Sequence, residues 1–396
     1  MDAAGRAPAP VAPRRRDRLV TTGPRPPRIA AIDALRGLVM LLMLVDHVRE
    51  FFFLHAQVRD PMDLAVTPPG LAATRLTAHL CAPVFLLLTG LSAHLHAGRH
   101  GPGATARFLL TRGLFLIVLE LTLVNLAWTR SLLPPILYLQ VIWAIGLSMI
   151  ALAGLIRLPR PVLIAVALVL MLGHDLLDGI VLPPDHPGII PWSILHQRGF
   201  IPLPWGVART SYPVLPWIGV AAAGFVLGPC YALEAGARRR RLLALGAAAM
   251  ASFLVLRGLN GYGDPTPWRA GADLGASALS FLNVTKYPPS ADFLLATLGL
   301  GLVLLALFEA LPVRRLAWLK VFGGAPLFFY LAHLWLLRGL HDLLLALGFG
   351  AEGRVSADAP WQLWPIAALL ALPLYGACRW MVGVKRRGRH PALSYL

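Results

Sequence analysis

The sequence predicts an all-α integral membrane protein of about ten transmembrane helices with both termini on the cytoplasmic side, and three observations carry that expectation. The 396 residues are 57% hydrophobic and only 14% charged, with a mean hydropathy of +0.67, values that a water-soluble globular domain does not reach. Apolar stretches of roughly 20 residues recur along the chain, the length that crosses a hydrocarbon layer about 30 Å thick at 1.5 Å per residue. Lys and Arg fall unevenly between the connections, and that asymmetry orients the spans.

Residues 1–28 hold seven Arg, six Pro and no apolar core, the composition of a disordered basic tail rather than of a signal peptide. Within it Arg14-Arg15-Arg16 reads as a topology signal. Spans are then expected over 33–54, 76–97, 106–128, 136–156, 159–181, 212–233, 240–259, 289–311, 325–347 and 362–384. Together they make one membrane domain, 29–385, followed by a short basic tail over 386–396. With the N-terminus inside, 22 of the 36 Lys and Arg lie in inside connections and tails and 8 in outside loops. The net charge of +17 is therefore interfacial, and a nucleic-acid footprint is not expected.

The outside loops 55–75, 182–211 and 260–288 are long and rich in Pro, Gly, Trp, Tyr, Asn and Asp, whereas the inside connections are short. A site is expected at the outer side. Cys81, Cys230 and Cys378 are isolated in apolar runs and read as small core residues. The pair His94-x-His96 lacks further ligands, so no metal site is expected.

Ionisable residues at membrane depth are costly and mark function by default, and the first span holds Asp33, Arg36, Asp46, His47, Arg49 and Glu50, with His55 just beyond. Arg36 and His47 are eleven residues apart, so on a helix they differ by only about 20° and share a face over a rise of about 16 Å. Glu50 lies near the same side. Asp46 points about 100° away from His47 and is the less natural partner, although it stays among the catalytic candidates. An imidazole costs less to bury than a fixed charge and titrates near working pH, which singles out His47.

Arg36, ten intervening residues and His47 match the R-x10-H pattern of the bacterial transmembrane O-acetyltransferases. The opening IDALRGLVMLLMLVDHVREFFF resembles the bacterial heparan-alpha-glucosaminide N-acetyltransferase-like family of the transmembrane acyltransferases. HLCAPVFLLLTG (79–90), LLTRGLFLIVLELT (109–122), LQVIWAIGLSMI (139–150), YPVLPWIGV (212–220), LRGLNGYGDPTPW (256–268), FLNVTKYPPS (281–290) and LSYL (393–396) extend the likeness along most of the chain. The resemblance implies a multi-span enzyme of the bacterial inner membrane. It would take acetyl from cytosolic acetyl-CoA and place it on an extracytoplasmic acceptor, a saccharide amine or hydroxyl. His47 ranks first as general base, from the R-x10-H match and its depth, and His55 second, because in the characterised heparan enzyme the catalytic histidine falls in the loop nearest His55.

Acyl transfer also needs donors for a tetrahedral oxyanion, for which His79, Asn283 and Lys286 are candidates, and cations for the donor's phosphates, for which Arg36, Arg107 and Arg112 are placed. Trp268, among the loop aromatics, suits packing on a sugar ring. Each of these cations and aromatics also suits an interfacial anchor. The alternative from a different class is a transporter, with Asp46, His47 and Glu50 as a proton relay and helices broken near Pro83 and Pro216. It calls for an internal repeat, which the sequence does not display.

Overall fold

Away from water a backbone must satisfy its own N–H and C=O groups, and the long apolar stretches do so by becoming helices. The computed structural model describes residues 29–53, 67–350 and 353–387. The N-terminal tail, His55 and the last nine residues lie outside them.

In chain order the first helices are α1 (Ala30–Phe52), α2 (Pro69–Thr77), α3 (Cys81–His100), α4 (Pro102–Leu119), α5 (Asn125–Thr129), α6 (Val141–Leu155), α7 (Arg160–Leu168) and α8 (Ile189–Leu195). They are followed by α9 (Leu215–Leu227), α10 (Ala235–Leu259), α11 (Leu274–Leu282), α12 (Ala291–Ala310), α13 (Ala317–Gly323), α14 (Pro326–Ala346) and α15 (Leu363–Arg387).

Among the described residues seven helical segments are long and apolar enough to cross a membrane. They are Pro69–His100, Pro102–Thr129, Arg160–Leu177, Leu215–Ala232, Ala235–Leu259, Ala291–Ala310 and Pro360–Arg387. α13 and α14, bent by 81° at their junction, make an eighth if they form one broken span. The two other expected stretches are helical as well. α1 carries Asp33, Arg36, Asp46, Arg49 and Glu50, and α6 has only 15 residues. The chain is an integral membrane protein.

The all-α expectation gives way outside the helices. Residues 136–139, expected to open a span, form strand β1 (Ile136–Leu139), which joins β2 (Phe200–Leu203) and β3 (Gly206–Thr210) in a sheet of order β1-β3-β2. β1 runs parallel to β3, with Ile136 opposite Val207, and β2 and β3 form a hairpin with Leu203 opposite Gly206. The cause is local. Pro134 and Pro135 interrupt the run and lack N–H donors, and the Asn125 side chain holds β1 by accepting from Tyr138 N and donating to Tyr138 O, both at 2.8 Å.

Central and outer helices separate by burial. In the most apolar window of the α2–α3 segment 72% of residues are buried, against 22% for α10 and for α15. The outer helices present Leu254, Val255, Leu369 and Leu372 outward, a surface suited to lipid. Inside, small residues let backbones touch, as expected where no hydrophobic force separates helix from lipid. A Cβ on Gly323 would sit 1.8 Å from Asp33 O, and one on Gly37 2.1 Å from Leu319 O, so α13 lies directly against α1.

The 260–290 loop is tied down by Arg257 and Asp264. Buried Arg257 donates to the carbonyls of Thr266, Ser280, Phe281 and Asn283. Asp264 accepts from Thr285 N and Ser290 Oγ. These intramembrane and loop polar groups hold the fold, as internal polar contacts should.

Candidate active site

The shared face of Arg36 and His47 opens on a cavity of about 470 Å³ lined from α1, α3, α4, α6 and α14. One end is basic: Arg36, Arg99, Arg112 and Lys385 line it. Arg36 donates to Asp33 Oδ1 at 3.0 Å and to the Gly323 carbonyl at 3.2 Å, a contact that exists because the two glycines bring α13 against α1. Lys385 reaches the Gly324 carbonyl at 3.4 Å, and the Arg112 guanidinium lies 5.9 Å from the Phe108 ring. Past the basic end the walls turn apolar, with Phe85, Leu116, Ile145 and Met149.

His47 lies about 16 Å of helix rise away from Arg36, and Asp46, Tyr212, Tyr330 and Lys286 line the cavity as it does. Its Nδ1 meets His333 Nε2 of α14 at 2.6 Å, the rings 14° from parallel and edge to edge with centroids 4.9 Å apart. Trp128 packs edge-on to His47 at 5.3 Å and stacks on Phe51 at 5.0 Å. Arg338 closes this wall, donating to the Ala127 and Trp128 carbonyls at 2.7 and 2.6 Å while lying over Phe51. A cation on the last carbonyls of α5 caps that helix and fixes Trp128 against α14.

Asp46 points elsewhere, as its position around the helix requires. It accepts from Arg49 Nε at 3.1 Å and is paired with Arg75, which also donates to Tyr287 Oη at 3.1 Å. Arg49 is paired with Glu50 too. Asp46, His47 and Glu50 therefore do not form a relay: both carboxylates are held by arginines, and the imidazole is held by His333. Pro83 and Pro216 sit in the first turns of α3 and α9, where proline is tolerated, and break neither helix.

Lys286 is buried, lines the cavity, and has its ammonium 5.3 Å from the Tyr287 ring centroid. Tyr287 and Tyr212 hydroxyls are 3.2 Å apart. Burial alone would raise the Tyr287 phenol, but the Lys286 and Arg75 cations outweigh it and bring it down to about 8. Tyr212 is pushed up by burial and by its negative neighbour Tyr287.

The other expected site residues do not line the cavity. Arg107 is exposed on α4. His79 is buried against Phe293, ring centroids 5.2 Å apart, and its Nε2 has no hydrogen bond within the described residues. Asn283 ends α11, where its carbonyl accepts from Arg257 at 2.8 Å. Trp268 packs on Phe281 at 5.4 Å and is bracketed by the Asn260 side chain. Sequence reasoning did not single out His333, the His47 partner. Nor did it separate Arg75, Arg99 and Lys385 from the Lys and Arg counted for topology. The available signal for His333 was its depth in an apolar span.

Among the described residues no group of three or more His, Cys, Asp or Glu converges as a metal site. No curated protein matches the chain. The family model of the heparan-alpha-glucosaminide N-acetyltransferase catalytic domain matches residues 28–261, more than half of the chain. The match covers Arg36, His47, Arg75 and Arg112 and stops short of Lys286, His333 and Lys385.

Proposed function

The chain belongs to the heparan-alpha-glucosaminide N-acetyltransferase catalytic family, an acetyl-CoA-dependent membrane acetyltransferase, and from that premise we propose that its cavity carries acetyl transfer across the bilayer. The observation that carries this reading is one cavity with four cations at one end and an imidazole about 16 Å of helix rise further on. Arg36, Arg112, Arg99 and Lys385 suit the phosphates of acetyl-CoA, because guanidinium groups bind phosphate in pairs of hydrogen bonds. The apolar walls beyond suit an extended uncharged arm, which brings the thioester towards His47.

His47 is then the general base. It takes the proton of an acceptor amine or hydroxyl as that atom forms its bond to the acetyl carbon. The C–S bond breaks, and the CoA thiolate leaves with the proton that His47 returns. Lys286, a buried cation at the same end, stabilises the oxyanion. Asp46 holds Arg75 and Arg49 in place and takes no proton. Arg107, away from the cavity, is an interfacial anchor, and His55 ranks behind His47.

The basic end faces the cytoplasm, in keeping with the 22-to-8 bias of Lys and Arg, and both termini lie on that side. Ten crossings follow if α1, α6 and the bent α13–α14 pair each count as one. The expected setting is the bacterial inner membrane, with 29–385 acting as one acyltransferase domain. The acceptor is an envelope saccharide, with the amine of a glucosamine unit, specified by the family's name, as the first to try.

The test is turnover of radiolabelled acetyl-CoA by proteoliposomes holding the wild-type chain, His47→Ala or His55→Ala, following free CoA and label on glucosamine and envelope saccharides. Loss of transfer in His47→Ala alone, at equal protein level, supports the reading. Undiminished transfer in that variant removes His47 as the base.

A further inference from the structure

We propose that His333 is a positioning residue that sets the tautomer of His47 and leaves His47 Nε2 bare to accept a proton. The inference rests on the reading of His47 as general base and adds a residue beyond the span that the family match covers.

His333 is fully buried on α14, and its two ring nitrogens face different partners. Nδ1 lies 2.9 Å from the Phe329 carbonyl oxygen, and Nε2 lies 2.6 Å from His47 Nδ1. A carbonyl oxygen only accepts, so His333 Nδ1 must carry the hydrogen in that contact. In a neutral imidazole the other nitrogen is then a lone pair, so His333 Nε2 accepts. His47 Nδ1 must therefore be the donor.

That leaves the hydrogen of neutral His47 on Nδ1 and the lone pair on Nε2. Within the described residues no hydrogen bond involves Nε2, and the ring lines the cavity. An unconstrained imidazole divides its hydrogen between the two nitrogens, so only part of the population would be competent as base. Here one backbone carbonyl, read through two rings joined edge to edge, fixes the competent form in advance.

The groups packed around the pair are aromatic rings or carboxylates already held by arginines, so the assignment rests on the two nitrogen contacts of a neutral His333. Trp128 and Tyr330 meet the His47 ring at centroid distances of 5.3 and 6.4 Å, edge to face. Asp46 and Glu50 are held by Arg75 and Arg49. During transfer the acceptor's proton arrives on His47 Nε2, the ring becomes imidazolium, and His333 Nε2 remains the acceptor for its Nδ1–H. When the CoA thiolate leaves it takes the Nε2 proton, and the pair returns to its starting tautomers. Proton count and charge balance with no other reactant.

The full chain in nanodiscs, labelled with nitrogen-15 histidine and assigned by difference from His47→Gln, gives a direct readout in the resting protein. His47 is expected with a protonated Nδ1 and a bare Nε2, and with a coupling across the hydrogen bond to His333. In His333→Phe, which keeps ring volume and removes the acceptor, the signature is lost. The kcat for CoA release with glucosamine then falls by about 10- to 100-fold while KM for acetyl-CoA holds. His333→Gln, whose side-chain oxygen can accept near the place of Nε2, restores both the tautomer and most of kcat.

A wild-type His47 protonated on Nε2 at rest overturns the proposal on its own, even if no His333 variant accumulates. Equal loss in the Phe and Gln variants, or wild-type kcat in His333→Phe, overturns it as well. Wild-type turnover in His47→Ala instead removes the general-base reading beneath it, and is distinguishable because the resting tautomer of His47 is measured separately.

Discussion

The two ends of the cavity are both rich in ionisable groups, yet they are built on opposite rules. At the basic end Arg36, Arg99, Arg112 and Lys385 converge, and Asp33 is the carboxylate among the lining residues there. Four cations stand there against one carboxylate among the lining residues. At the imidazole end Asp46, Glu50, Arg49 and Arg75 are paired with one another, Lys286 is a buried cation beside them, and the central pair is two imidazoles at 2.6 Å. An excess of cations suits capture of a polyanion from water. A desolvated pair of imidazoles, with the nearby carboxylates already held by arginines, suits proton transfer.

The sharpest break of this contrast is His47→Ala, which should lower kcat for acetyl transfer by about 100- to 10,000-fold with acetyl-CoA binding intact. Free CoA release and equilibrium binding measure the two separately. Next is Asp46→Ala, which leaves Arg49 and Arg75 buried without their shared carboxylate and should cost about 3–5 kcal/mol of stability, read by unfolding in detergent. Loss of activity there should track loss of folded protein.

Gly323→Ala tests how the basic end is assembled. The added Cβ would meet Asp33 O at 1.8 Å, so α13 must move off α1 and Arg36 loses the Gly323 carbonyl. A destabilisation of about 1–3 kcal/mol is expected, with a rise in KM for acetyl-CoA. Arg112→Ala at the same end should leave stability and kcat alone. It should raise KM for acetyl-CoA roughly tenfold, the loss of one charge-assisted hydrogen bond. Added salt should mimic it, since mobile ions screen the attraction between these cations and a polyanion.

The smallest effect concerns Tyr287. Its folded phenol titrates near 8 against an ordinary value of 10, so the folded state holds the proton less tightly than the unfolded state. That contribution is fully present above pH 10 and is lost as pH falls through about 8. Tyr287→Phe should flatten this part of the stability profile, and a phenolate absorbance titration should lose its earliest step.

Composition and the recurrence of apolar stretches made the helical membrane character legible, because the cost of an unsatisfied backbone in lipid leaves few options. Helical geometry likewise made the common face of Arg36 and His47 legible, since a spacing of eleven is close to three turns. The strand at 136–139 was not legible, because an apolar run carries no record of the partner strand 70 residues later. Nor was the irrelevance of Arg107 to the cavity, which turns on facing rather than on charge: Arg112, five residues on, lines it.

The sequence by itself determined the long apolar helices, which residues ride together on α1, and which family it belongs to. Only the tertiary structure decided who faces whom across helices. Asp46 is adjacent to His47 in sequence and is paired with Arg75, 29 residues away, while His47 is paired with His333, 286 residues away. Local periodicity fixes the direction in which a side chain leaves its own helix. The partner it meets depends on how backbones touch at Gly37 and Gly323 and on where Arg338 fastens α14 to α5, and no local pattern encodes that.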